Sequence, residues 1–177
     1  MSPIFHGPVL SKTGPCLELL GTIAVPVVSK EFVPCEHFIQ GRYDDVIIGE
    51  IGKSFSKWFL DSKNVEERKG ETLLHYSRNC RPVTDYSIIE DLQKKGKVEI
   101  SLAEIFVLMM IQCKGCPGVL NNNGSHNIFY SKDVRGILRI VFVFWMDSSW
   151  FVYSRPLWLF FHQPSDSRIF TRCTLSI

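Results

Sequence analysis

The chain has 177 residues, of which 45% are apolar, 21% charged and 12% aromatic, with 20 Lys and Arg against 18 Asp and Glu and a formal net charge of +2. Nearly half the residues being apolar excludes a disordered, charge-dominated chain, and the absence of a collagen or heptad period excludes the fibrous classes. The length suits one domain, and a pI near 8.2 falls short of the basic footprint of a dedicated nucleic-acid binder.

Residues 1–16 hold three prolines and two glycines without periodicity and read as an irregular lead-in. No basic n-region or apolar h-region opens the chain, so no secretory signal is expected and the cytoplasm is the expected compartment. The six cysteines then read as reduced thiols. From Leu17 to Val28 apolar residues alternate, with Gly21 interrupting and Pro26 unable to donate to a ladder, which predicts an edge strand. Val46 to Ile48 reads as a short buried strand. Ile51, Phe55, Trp58 and Phe59 fall on one face of a helix from about Lys53 to Leu60.

Thr72 to Arg78 alternates as a strand. Ser87 and Glu90 have capping-box spacing, with Gly96 closing the helix. A short strand over Lys97 to Ile100 precedes a second box, Ser101 and Glu104. The helix after it is apolar at every position from Ile105 to Ile111, which predicts burial on all sides, while its length is far short of a membrane span. Asn121 to Ser125 is a turn. Beyond it, Asn127 to Tyr130, Ile137 to Trp145 and Trp150 to Ser154 read as three antiparallel strands joined by hairpin loops. Residues 157–177 lack periodicity and caps.

Charge is uneven: residues 1–60 carry five basic and six acidic groups, 61–118 nine of each, and 119–177 six and three. Nine aromatic residues lie between Ile137 and Phe161. Basic and aromatic residues together suit single-stranded nucleic acid, but the cations are few and rings on alternating strands more often pack in a core.

The sharpest local motif is Cys113-Lys-Gly-Cys116-Pro117. A redox dithiol draws its thiolate from a helix N-terminus, whereas this pair sits at a predicted C-terminus, where the dipole has the opposite sign. Structural zinc needs two further ligands, which Cys35, His37, His75, Cys80 and His126 would have to supply through tertiary convergence. Gly49-Glu-Ile-Gly52-Lys53-Ser54 lacks the first glycine of a phosphate-binding loop, since Ile47 stands there. Asp44 and Asp45 are adjacent and point to opposite faces of an extended segment, so they cannot share a proton. The histidines show no metal-binding spacing, and no catalytic residue is assigned.

Asn127-Ile-Phe-Tyr-Ser-Lys-Asp-Val-Arg-Gly-Ile-Leu-Arg-Ile-Val, followed by Trp145 and Trp150-Phe-Val152, resembles a hairpin of certain uncharacterised bacterial proteins. That resemblance implies a small stand-alone protein and nothing catalytic.

The sequence therefore predicts an α+β fold, an antiparallel β-meander packed on a buried central helix, with additional short helices. Residues 17–156 form the expected single domain, after the lead-in at 1–16 and before a C-terminal extension at 157–177. The expected function is non-enzymatic binding or self-association through the aromatic meander, with Trp145, Trp150 and Trp158 as contact residues. The partner would be a protein or a second copy; nucleic acid and membrane integration are disfavoured, and no small-molecule ligand is specified. The alternative is a zinc-stabilised or thiol-dependent protein using Cys113 and Cys116, zinc being the one cofactor considered.

Overall fold

Alternating apolar residues decide the architecture more than helices do. The computed structural model describes residues 17–27, 30–43, 45–67, 70–80, 83–93, 98–159, 162–163 and 166–173. In chain order it contains β1 (Leu17–Val25), β2 (Glu31–Phe32), α1 (Pro34–His37), β3 (Gly41–Tyr43), β4 (Val46–Ile51) and α2 (Lys53–Phe55), which continues as a π-helical turn (Ser56–Leu60). Then come β5 (Glu66–Glu67), β6 (Thr72–Asn79), β7 (Val83–Thr84), α3 (Asp85–Gln93), α4 (Leu102–Ile111) and a 3-10 turn (Cys113–Gly115). The chain continues through β8 (Asn127–Lys132), β9 (Leu138–Met146), β10 (Ser149–Pro156), β11 (His162–Gln163) and β12 (Arg168–Arg172).

Eight strands form one mixed sheet in the order β1-β6-β12-β8-β9-β10-β4-β3. β12 runs parallel to β8, and β10 parallel to β4; the other neighbours are antiparallel. This corrects the fold expected from sequence. Among the described residues the protein is mostly β, built on a large mixed sheet with four short helices, and is not an α+β meander on a central helix. β8, β9 and β10 do pair antiparallel in succession, but β12 and β4 flank them on either side. Both outer pairings join strands remote in sequence, which local periodicity does not encode. β12 comes from the segment read as an extension: Ile169 and Phe170 are fully buried in the middle of the sheet.

The strands' alternation feeds two apolar layers. On the inner face, Leu74, Phe129, Val141, Val143, Trp150, Val152 and Phe170 pack with Leu102, Ile105, Phe106, Leu108 and Met109 of α4. Ile105 through Met109 are all buried, as an apolar run without a polar stripe requires, but Met110 is only partly buried and Ile111, expected inside as well, is 52% exposed at the helix end. On the outer face, Ile88, Ile89 and Leu92 of α3 cover Ile128, Tyr130, Ile140 and Ile169. α3 spans one end of that face only. Among the described residues no helix is long and apolar enough to cross a membrane.

Local signals fared unevenly. Ser101 and Glu104 form the expected capping box at α4. Glu66 adds a tertiary cap, its carboxylate accepting from the backbone N–H groups of Leu102 and Ala103 at 3.1 and 2.8 Å. The box predicted at Ser87 is displaced: α3 begins at Asp85, and Thr84 Oγ1 accepts from Ser87 N at 3.3 Å. Gly96 lies outside the described residues. Over Val98 to Ile100 only a single bridge, Glu99 to Tyr130, replaces the expected strand. Leu17–Val25 is the predicted edge strand, with a bulge between Leu19 and Gly21.

Candidate functional site

Period two along β9 and β10 sends neighbouring rings to opposite faces. Trp150 is fully buried on the inner face, with Trp145 packed edge-on against it at 5.1 Å between ring centroids. Trp150 therefore offers no surface in this fold, and Trp145 belongs to the inner layer. Trp158 is 73% exposed, but it stands in the turn after β10, apart from the strand pair. The three tryptophans singled out from sequence do not form one patch.

The opposite set of rings does. Phe142 and Phe144 of β9 lie beside Phe151 and Tyr153 of β10 on the outer face, with Phe142 packed against the layer under α3 and the other three rings beyond it. Phe144 stacks on Phe151 at 5.4 Å and on Tyr153 at 5.8 Å, and Phe142 stacks on Tyr153 at 5.8 Å, with interplanar angles of 15° or less. His126, just before β8, extends the row, its ring 5.3 Å from both Phe142 and Phe144. Phe144, Phe151 and Tyr153 belong to neither core layer and are half-buried.

Each end of the row carries an exposed carboxylate. At the β4 end, Tyr153 hydrogen-bonds Glu50; that bond, with burial and the carboxylate's charge, pushes the phenol up to about 12. At the β8 end, Asp166 lies close enough to act on His126 and accepts from the Ser125 hydroxyl. Burial first, then the positive charge of Arg155, hold His126 below its ordinary value, with Asp166 opposing in part. A histidine with a lowered pKa stabilises the fold fully above about pH 6.5, and that contribution is lost as pH falls through the folded-state value. His126→Phe is accordingly expected to flatten the dependence of the urea midpoint between pH 7.5 and 5, an unchanged slope contradicting this.

Side chains of β10 explain two glycines of the incomplete phosphate-loop pattern. A Cβ at Gly52 would lie 2.5 Å from Tyr153 Cδ1, and one at Gly49 would lie 2.3 Å from Ser149 Oγ. Both positions are small because β4 and β10 approach closely; α2, three residues long, offers no anion site there.

Cys113 lies in the 3-10 turn that follows α4 and Cys116 just beyond it; Cys116 is exposed, Cys113 half-buried, and both thiols are free. The other candidate ligands are dispersed. His37, the last residue of α1, stacks on Phe32, His75 meets Thr22 Oγ1 across β1 and β6, and His126 stands in the aromatic row. Among the described residues no group of three or more His, Cys, Asp or Glu could hold a metal ion. Cys113→Ser with Cys116→Ser is therefore expected to leave the melting temperature within about 2 °C, as surface substitutions do. A drop above 5 °C, matched by chelation of the parent protein, would instead establish a metal site.

Sequence reasoning found the strands carrying the row but chose the tryptophans as its contact residues. Alternation alone separates Phe144 from Trp145. What it cannot supply is which face α3 and α4 cover. No family model, curated protein or solved structure matches the chain, and the resemblance of about residues 100–155 to uncharacterised bacterial proteins finds no counterpart in these comparisons.

Proposed function

We propose that the protein is a non-enzymatic binding module whose contact surface is the aromatic row His126, Phe142, Phe144, Phe151 and Tyr153, and that it takes an extended, basic-flanked apolar peptide segment. The carrying observation is a stack of four rings on the outer face, three of which, Phe144, Phe151 and Tyr153, pack into neither core layer among the described residues. Its size favours a segment over a second copy. With no more than about a third of each ring accessible, four rings offer about 300 Å², against about 800 Å² per partner in a standard interface.

The rim sets the polarity. From β8 across β9 and β10 to β4 is three strand spacings, about 14 Å, which an extended peptide covers in about four residues. Glu50 and Asp166 at the two ends then face residues i and i+4, with an apolar residue at i+2 pointing the same way. The fitting segment is basic–x–apolar–x–basic.

A labelled, capped Lys-Thr-Phe-Thr-Lys peptide tests this by fluorescence polarisation, with Glu-Thr-Phe-Thr-Glu as the control. The basic peptide is expected to bind, the acidic one not, with affinity falling as salt screens the rim charges. Phe151→Ser removes about 60 Å² of contact, about 1.5 kcal/mol at 25 cal/mol per Å², so it should weaken binding about tenfold. Equal binding of both peptides, or a Phe151→Ser protein with unchanged affinity, would overturn the proposal.

A further inference from the structure

A second site lies at the far end of β9, where the β8–β9 turn meets the π-helical turn. Arg139 is held there from two sides. Its Nε–H donates to Asp133 Oδ2 at 2.9 Å, and its guanidinium carbon lies 4.2 Å from the centre of the Trp58 ring. Asp133 is itself fixed. Its side chain is 1% exposed, and Oδ1 accepts from the backbone N–H groups of Arg135 and Ile137, both at 2.9 Å. Burial pushes the Asp133 carboxyl upward, but the hydrogen bonds from Ile137, Arg139 and Arg135 outweigh it and hold it below the usual carboxylate range. Val134 N donates to Trp58 O at 3.0 Å and ties the turn to the π-helix.

This support leaves half the guanidinium unused. Although the Arg139 side chain is 14% exposed, its two terminal amino groups have no hydrogen-bond partner among the described residues, and neither is sealed in the interior. Arg139 lines a cavity of about 160 Å³ with Lys57, Trp58, Asp61, Asp133, Val134 and Arg135. Lys57 and Arg135 are exposed. Asp133 and Arg139 neutralise one another, so Lys57 and Arg135 against Asp61 leave the cavity a net positive charge.

We infer that this cavity binds a phosphate group, as free phosphate or a small phosphate ester. A guanidinium braced by an aromatic face and a carboxylate presents its remaining N–H fork in a fixed plane, which suits bidentate recognition of an oxyanion. Phosphate fits better than carboxylate because the fork engages two oxygens while Lys57 and Arg135 stand ready for a third, which a carboxylate lacks. The volume admits the phosphoryl group but no nucleotide within the cavity, ligand pockets for larger molecules running to 300 Å³ and beyond, as an order of magnitude. A π-helical turn beside it matches the recurrence of such turns at functional sites. None of these residues belongs to the aromatic row, so the inference stands apart from the peptide-binding proposal.

Calorimetric titration and thermal unfolding with sodium phosphate, against sodium chloride of equal ionic strength and against acetate, test the inference. Phosphate is expected to give saturable heat and raise the melting temperature, and acetate to do neither. Arg139→Lys keeps the charge but loses the fork and should weaken phosphate about tenfold. Arg135→Ala alters only an exposed turn residue and should weaken it about threefold, which carries the test if Arg139→Lys fails to fold. A methyl phosphate that binds as phosphate does would place the rest of the ester outside the cavity; one that fails to bind would restrict the ligand to the free ion. No phosphate-specific heat, acetate binding as well as phosphate, or a folded Arg135→Ala protein with parental affinity would overturn the assignment.

Discussion

Asp85→Ala is expected to destabilise the fold by about 3–5 kcal/mol, the range for removing one partner of a buried ion pair. The Asp85 side chain, at the start of α3, is 1% exposed and pairs with Arg155 of β10, whose side chain is 11% exposed. The same carboxylate accepts from Tyr130 Oη of β8 at 3.2 Å. Burial, with the charge and hydrogen bond of Asp85, pushes the Tyr130 phenol well above its ordinary value. Removing the carboxylate takes the buried countercharge from Arg155, which keeps its hydrogen bond to Leu159 O at 2.9 Å, and removes the Tyr130 hydroxyl's acceptor, which costs more than the net worth of the pair. Against a total stability of about 5–15 kcal/mol, the loss is a large fraction. Urea unfolding followed by circular dichroism measures it. The double variant Asp85→Leu with Arg155→Leu should lose less than Asp85→Ala, since no charge is left buried. A single-variant loss below about 1 kcal/mol would show that the pair does not fasten α3 to the sheet.

Trp150→Ala should cost about 3–5 kcal/mol, through lost transfer energy and the cavity left behind. Trp150 is the largest fully buried side chain, edge-on to Trp145 and within the layer that α4 shares with the sheet. Trp150→Phe should be milder than its change in size suggests. The indole Nε1–H is buried and has no hydrogen-bond partner among the described residues, so phenylalanine removes an orphaned donor while keeping an aromatic ring. The two urea midpoints should separate clearly, Phe near the parent and Ala far below it. If Phe proved as costly as Ala, the N–H would have to be satisfied in solution.

The same two residues show how the candidate surface escaped the sequence. Trp145 and Trp150 are the conspicuous aromatics of the hairpin, yet both face α4. The less conspicuous Phe144, Phe151 and Tyr153 face outward at the end α3 does not reach. Arg139 was hidden for a related reason: its fork depends on Asp133, six residues before it, and on Trp58 from another element. The first partner is near in sequence; the second is joined only when β9 meets the π-helical turn.

By itself the sequence determined what depends on near neighbours. Alternation marked β1, β6, β9 and β10, because side chains on a strand change face at every residue, while short apolar runs marked β4 and β8. The apolar run from Ile105 placed α4 in the interior as far as Met109, with Ile111 at its end exposed, and the Ser101–Glu104 spacing set where that helix starts. Tertiary structure alone decided strand order, the parallel pairings of β12 with β8 and β10 with β4, and the entry of residues 168–172 into the centre of the sheet. Those contacts join segments tens of residues apart, where pairing follows from which faces two helices cover and which edges remain to be filled. A period of two states that a strand has two faces; only the packed helices state which one is left to the outside.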